Sequence, residues 1–427
     1  MSVSDRLGIG FIGAGFVVDV FHVGVWEGIR DADITAVTSR TRESATRVAD
    51  HCRQLAVGNP TVHDDIGSLV RDENVDAVWL AVPNDVRVQV VEQIVEEVTS
   101  GRAALVGIAI EKPLARNVAE ARNVLQMIED AGLLHGYLEN QVFAPEVTRA
   151  KELVWKRGAA LSGNPYLARA AEEHSGPHAG WFWDGTRQGG GVLNDMLCHS
   201  VEAGRHLLTP PGRRKRDFLT PVSVTATIAS LKWSRDRYAE ELAARYDGID
   251  YRRAPAEDYA RTTVLFENAD GEQVVVEGTT SWSFVGAGLR LSFELLGPEY
   301  SLAVSTLNTP AEVFLSRSLA GESGEDLIEK QNAEQGVMPV LADEGFSYGY
   351  LHEDRHMVRA FLAGEQPEED LHDGLLVTEL LMAAYLSAEL GETLRWPVAG
   401  LEDYVPEVAR GVWNPRDIRA KDRPAAR

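Results

Sequence analysis

The sequence predicts an α/β protein: a doubly wound parallel sheet at the N-terminus, then an α+β domain on an open, mainly antiparallel sheet. Three observations predict it. Short apolar runs alternate with helical stretches over roughly the first 140 residues, the pattern of a parallel sheet covered on both faces. After about residue 160, strand-like runs follow one another with no helices between them. The length, 427 residues, exceeds the roughly 100–200 of one domain. The expected division is 1–145 and 146–427.

In the first domain, Leu7–Ile12 reads as a buried strand ending in Gly13-Ala14-Gly15, and Phe16–Ile29 as a helix. Ile34–Thr38, Val75–Val82, Ala103–Ile110 and Leu133–Leu138 read as further strands. Thr41–Leu55, Asp85–Val98 and Val118–Ala131 read as the helices that parallel crossovers require.

In the second domain, the expected strands are Tyr166–Ala171, Val222–Leu231, Arg261–Phe266, Gln273–Thr280, Arg290–Leu296 and Ser301–Val304. Asn268–Gly271 carries a hairpin turn signal between two of them. Glu353–Ala363 and Gly374–Leu390 close the domain as helices, the second with apolar residues at helical spacing. Two segments read as insertions: the basic Pro210–Arg216, within 209–220, and the charged, tyrosine-bearing Ser234–Tyr259. Both are expected as solvated excursions, with a lid or a subunit contact as the sharper alternative. Gly321–Gln335 reads as a loop, and the tail 399–427 as a wrap over the surface or a neighbouring subunit.

Composition excludes some functions. A formal charge of −23 leaves no basic face for nucleic acid and disfavours an anionic membrane surface. No apolar run reaches the roughly 18 residues of a membrane span. The start of the chain lacks a secretory signal pattern, and Cys52 and Cys198 read as reduced thiols, so a cytoplasmic protein is expected.

Gly13 and Gly15 stand between a strand and a helix, where a dinucleotide site needs glycines. The first permits a tight turn, and the second lets a pyrophosphate approach the backbone. The helix start at Phe16 and Val17 then offers unpaired N–H groups. The third fingerprint position carries Val18 in place of a small residue. No acidic residue closes the second strand; Ser39-Arg40 stands there instead. That pair suits a 2′-phosphate and NADP, whereas an arginine that stacks on adenine or faces water is compatible with NAD, so the expected cofactor is NAD(P). Pro83-Asn84 lies at a strand's C-terminal end, either beside the nicotinamide or as a plain helix cap.

Lysine is scarce: Lys112, Lys151, Lys156, Lys215, Lys232, Lys330 and Lys421 are the only ones, and the first 150 residues hold Lys112 alone. Lys112 follows a strand, in Glu111-Lys112-Pro113. A lysine kept where the domain otherwise uses arginine suggests a compact, titratable ammonium, with a pKa expected to fall on desolvation. The alternative is a surface lysine in a loop.

These motifs, in order, resemble the glucose-fructose oxidoreductase / inositol dehydrogenase / MocA (Gfo/Idh/MocA) family of NAD(P)-dependent oxidoreductases. The matching pieces are Gly13–Gly15, Pro83-Asn84, Glu111–Ala115, Asn140–Pro145 and Gly189–Asp195, with His199 four residues later. The resemblance implies an N-terminal Rossmann domain, a C-terminal α/β domain with an open sheet, and a homo-oligomer, a dimer or tetramer. It implies Glu111 and Asn140 beside the cofactor, and Asn194 and Asp195 at the substrate. Arg87, Val142 and Glu202 stand where many members have His, Arg and Asp, which places the difference in the substrate pocket.

Asp195 and His199 are i and i+4 on one helix face, with Glu202 and His206 near the same stripe. A metal site and a purely structural pair are the alternatives; no metal is expected. The resemblance makes His199 catalytic. His199 then takes the hydroxyl proton while hydride leaves the carbinol carbon, and Lys112 steadies the oxygen, with these two roles exchangeable. Glu172–Trp183 offers His178 and Trp183 to a carbohydrate-like substrate. The expected activity is hydride transfer between nicotinamide and a secondary hydroxyl of a sugar, cyclitol or sugar derivative. The alternatives are a glycosidase using tightly bound NAD for transient ring oxidation, and a non-catalytic dinucleotide sensor.

Overall fold

The computed structural model describes residues 6–286, 288–306, 312–315, 336–339 and 343–415. Six parallel strands form the N-terminal sheet: β1 (Leu7–Ile12), β2 (Ala32–Thr38), β3 (Gly58–His63), β4 (Ala77–Leu80), β5 (Gly107–Glu111) and β6 (Leu134–Leu138), in the order β3-β2-β1-β4-β5-β6. The order reverses between β1 and β4, so a crevice opens beyond the strand ends at Ile12 and Leu80. The expected strands recur, the first with the same bounds, the second longer and the others shorter. The unexpected one, β3, contains Pro60 and lies at the sheet edge, where a residue with no N–H is tolerated.

The second sheet comprises β7 (Leu167–Glu173), β8 (Leu219–Ala229), β9 (Tyr259–Asn268), β10 (Gln273–Ser281), β11 (Arg290–Leu296), β12 (Ser301–Ser305) and β15 (Leu394–Arg395), in the order β12-β11-β7-β10-β9-β8-β15. Only β7 and β10 pair in parallel. A separate two-stranded ribbon joins β13 (Glu312–Leu315) and β14 (Gly336–Pro339). Helix Val192–Leu208 lies on β7 and β10 with helix Leu371–Leu390 against its other side, so nearly every residue of it is buried. Gly204 permits that approach, because a Cβ there would meet Val276 at 2.5 Å.

Two expectations change in part. Pro210–Arg216 is exposed at Pro211, Gly212 and Arg213 but anchored beyond them: Lys215 is 3% exposed and reaches Glu369 at 2.8 Å, while Arg214 and Arg216 bind Asp370. Ser234–Tyr259 is exposed over much of its length, but not throughout. It forms helix Asp236–Arg245, whose Ala239 and Leu242 are buried, and it sinks Tyr251 beside Trp183. The tail packs on its own chain as far as the structure describes it, with Leu401 and Val408 in the core. Gly321–Gln335 lies outside the described residues. No described helix is long and apolar enough to cross a membrane. Cys52 and Cys198 are buried free thiols.

Candidate active site

The glycine turn has the geometry its sequence implies. Gly13 sits at φ +106°, and a Cβ there would strike the Ala81 carbonyl at 2.1 Å. At Gly15 a Cβ would meet nothing within 4 Å and would project into the open cradle instead. The helix beginning at Phe16 carries no side-chain cap, so its first N–H groups suit a pyrophosphate. Its first turns are wide: the Val23 N–H reaches back five residues to Val18, the fully buried residue that replaces a small one. These residues fit a dinucleotide. Ser39 is half-buried and Arg40 exposed at the end of β2. Arg47, not anticipated, donates to the Ala14 carbonyl at 3.3 Å and to Asp19 at 3.1 Å.

Asn84 is buried and does not cap its helix. Its Nδ2 donates to the Gln188 carbonyl at 2.9 Å, across to the second domain. Asn194 donates to the same carbonyl at 2.9 Å. Asn194, expected at the substrate, is therefore a buried part of this clasp and does not line the cavity. Arg87 is also turned inward, donating to the carbonyls of Pro113 and Val82. It fastens the turn that carries Lys112 and takes no part in the substrate pocket, and its burial lowers its pKa to about 10.

Glu111, expected beside the cofactor, is committed behind the same turn. One oxygen accepts from His22 Nε2 at 2.9 Å and the other from the Lys112 backbone N–H at 3.1 Å. His22 Nδ1 donates to Asp354 at 3.0 Å, and Trp79 Nε1 donates to Asp354 at 2.9 Å. Both imidazole nitrogens thus face carboxylates, so both carry protons. Burial opposes that charge, but Asp354 and Glu111 outweigh it and raise His22 to about 10.

Lys112 Nζ projects from the end of β5 to the Asp195 carbonyl at 3.1 Å and to Asp195 Oδ1 at 3.4 Å. Trp282 Nε1 donates to the second Asp195 oxygen at 3.3 Å. The expected fall in the Lys112 pKa does not occur. Burial pulls it down, but Asp195 first and then its other acidic neighbours hold it above its ordinary value. Lys112 is thus held as a cation by its acidic neighbours.

His199 Nδ1 lies 2.5 Å from Glu139 Oε1, and its Nε2 lies 3.7 Å from Glu172 Oε2. Burial lowers His199 to about 4 and raises Glu139 well above the carboxylate range. Glu172 also accepts from Gln141 Nε2 at 2.7 Å. Glu139 and Glu172 were not singled out from the sequence; the only signals were their positions beside Asn140 and at the head of the aromatic loop. Glu202 and His206 turn away from this group, Glu202 to Arg205 and His206 to Lys151, so the helical stripe does not converge on a metal.

Lys112, Asp195, His199, Glu172 and Asn140 line one cavity beneath Val17 and Phe21 of the glycine-turn helix. Asn140 Nδ2 donates to the Tyr348 carbonyl at 2.8 Å. His178 and Phe182 form part of the rim, and the His178 ring lies 4.9 Å from that of Phe16. Trp183, expected to face a sugar, does not line the cavity. It is 2% exposed, boxed by Trp233, Tyr251 and Trp282, with its indole N–H on the Pro177 carbonyl. Its neighbour Phe182 holds the rim position.

Residues 7–137 match the family described as the oxidoreductase family with an NAD-binding Rossmann fold (GFO_IDH_MocA), and residues 149–303 match the GFO/IDH/MocA C-terminal domain. The 1,5-anhydro-D-fructose reductase of Ensifer adhaerens is 28% identical over 201 residues, 47% of this chain and 56% of that protein. The D-glucoside 3-dehydrogenase of Escherichia coli is 26% identical over 210 residues, 49% of this chain and 56% of that protein. The chain thus spans about half the length of the curated relatives it matches. GenD2 from gentamicin A biosynthesis, in complex with NAD, superposes with a TM-score of 0.71 at 24% identity, over 93% of this chain and 98% of that one. Levoglucosan dehydrogenase, in complex with NADH and L-sorbose, superposes with a TM-score of 0.66 at 18% identity, over 92% and 100%. These likenesses show the fold, and with both halves of the sequence matched the chain belongs to the Gfo/Idh/MocA oxidoreductase family.

Proposed function

We propose that the protein is an NAD(P)-dependent oxidoreductase acting on a secondary hydroxyl of a sugar, cyclitol or sugar derivative. One observation carries the reading: Lys112 from the first domain and Asp195 and His199 from the second share one cavity, under the helix that follows the glycine turn. The relatives named as sugar reductases and dehydrogenases support the same class of donor.

Gly13, Gly15 and the N–H groups of Phe16 and Val17 would hold the cofactor, which when bound would supply the hydride acceptor in oxidation or the hydride donor in reduction. The chain's own residues do the rest. In oxidation the carbinol C–H bond gives up its hydrogen with the electron pair, and the hydroxyl proton passes to His199 Nε2. Glu139 holds the imidazole through Nδ1. The Lys112 ammonium faces the same oxygen and offsets its developing negative charge. Asp195 anchors Lys112 and offers its carboxylate to an adjacent hydroxyl.

The test is a panel of sugars and cyclitols with NAD and with NADP, followed by nicotinamide absorbance, alongside mass spectrometry of ligands retained on purification. Nicotinamide reduction by a secondary alcohol supports the reading. Release of an aglycone from an aryl glycoside without net nicotinamide reduction would replace it with the glycosidase chemistry.

A further inference from the structure

We propose that the cavity selects amino sugars or aminocyclitols, with an ammonium on the carbon next to the one oxidised, over their hydroxyl counterparts and against sugar acids. The inference rests on the oxidoreductase reading above and concerns the charge balance of the same site.

Lys112 is the only lysine or arginine among the described residues lining the cavity. Its ammonium is already engaged by the carbonyl and carboxylate of Asp195, and the second Asp195 oxygen is taken by Trp282. Glu172 is a second carboxylate in the same wall, with its side chain only 5% exposed. Its partners are the Gln141 amide at 2.7 Å and His199 Nε2 at 3.7 Å. The first is neutral, and the second must be neutral to accept a proton. Glu172 thus has two neutral contacts, and the single lysine lining the cavity is hydrogen-bonded to Asp195 instead. A buried carboxylate is costly unless paired, and a charge-assisted hydrogen bond is roughly twice as strong as a neutral one. A ligand hydroxyl supplies a hydrogen bond and leaves the charge; a ligand ammonium supplies both.

Position follows from the same distances. His199 Nε2 and Glu172 Oε2 are 3.7 Å apart, a spacing that two groups on neighbouring carbons can meet together, the oxygen being oxidised at the imidazole and the ammonium at Glu172. A carboxylate or phosphate in that place would face Glu172 and Asp195 with no arginine among the described lining residues to receive it. The net charge of −23 also draws cations toward the molecule rather than anions.

The experiment compares kcat/KM within matched pairs on the full-length protein: D-glucosamine with D-glucose, D-galactosamine with D-galactose, and scyllo-inosamine with scyllo-inositol, with D-glucuronate as the anionic probe. Near neutral pH the amine of a turned-over pair should be preferred by about tenfold or more. That preference should shrink as the pH rises through the amine's own pKa, a measurement that needs no variant. In Glu172→Gln, checked for folding by circular dichroism, the amine-to-hydroxyl ratio should collapse toward one. Equal or better turnover of the hydroxyl member, efficient use of D-glucuronate, or a Glu172→Gln loss shared equally by both members would overturn the selectivity while leaving the oxidoreductase reading intact. If no sugar or cyclitol of any charge supports nicotinamide turnover, the reading beneath it falls as well.

Discussion

The two ends of helix Val192–Leu208 carry buried charge in different ways. At the C-terminal end, Glu202 pairs with Arg205, and Lys215 lies 2.8 Å from Glu369 and 3.3 Å from Glu202. Arg205 and Lys215 also reach Asp373, and Arg216 holds Asp370. Charges of opposite sign alternate there, and all of these side chains except Arg216 are buried. At the N-terminal end, Asp195 and His199 face a cavity, with carboxylates on both sides of the imidazole. Lys112 and Lys215 are both held above their ordinary values by acidic neighbours, against the pull of burial. A displaced pKa therefore does not separate a working group from a structural one. Access to a cavity and charge left unmatched do.

The sharpest way to break the comparison is to remove charge from each end. Lys112→Ala and His199→Ala should each lower kcat by about 10²–10⁴, with cofactor binding by fluorescence retained. Near-normal turnover in both variants would place the chemistry elsewhere. Lys215→Met should leave buried carboxylates without their cation and cost roughly 3–5 kcal/mol of stability in denaturant unfolding. An unchanged midpoint would mean that the sealed cluster contributes nothing.

Next in size is the dependence on pH. His199 titrates near 4 when folded and near 6.5 when unfolded, so below 6.5 the unfolded chain binds the proton first. Its contribution to stability should rise with pH between about 4 and 6.5 and be flat above, with kcat/KM showing no His199 limb in the neutral range. His22 has the opposite sign. Raised to about 10, it stabilises fully below about 6.5 and loses that contribution as the pH climbs toward 10. His22→Gln should remove this alkaline decline in thermal midpoint; a decline of the same size in the variant would assign it to other groups. The smallest effect concerns the cofactor's 2′ group. Arg40→Ala should weaken NADP several-fold more than NAD, as measured by KM for each. Equal changes would leave Arg40 as an exposed arginine only.

The parallel sheet was legible because β1, β4 and β5 are apolar on both faces and each leads to a helix with its own period. The edge strand β3 was not, because Gly58, Asn59 and Pro60 read as a turn until β2 is there to pair with them. The glycine turn and Lys112 were found from position alone. Glu139 and Glu172 were missed because they meet His199 across 60 and 27 residues, and local spacing carries no trace of such contacts. The protonation of Lys112 was misjudged for the same reason: burial could be expected, but the matching charge on Asp195 comes from the other domain. Trp183 and the Ser234–Tyr259 segment show the reverse error. Aromatic residues among charges read as a binding surface or a solvated loop, yet Trp183, Trp233 and Tyr251 pack together in the core.

The buried contact between His22 and Asp354 spans 332 positions of the chain, and the one between Trp79 and Asp354 spans 275. During synthesis the nucleotide-binding half leaves the ribosome first. It must then wait, with a sequestered imidazole and an indole N–H lacking their acceptor, until helix Tyr350–Ala363 emerges. Chain order and order of completion are therefore opposed: the nucleotide-binding domain is completed by a helix made well after it. A fragment cut at the domain boundary would keep the glycine turn but lose the carboxylate that closes its first helix onto the lysine turn. The cofactor site is a product of the whole chain rather than a detachable module.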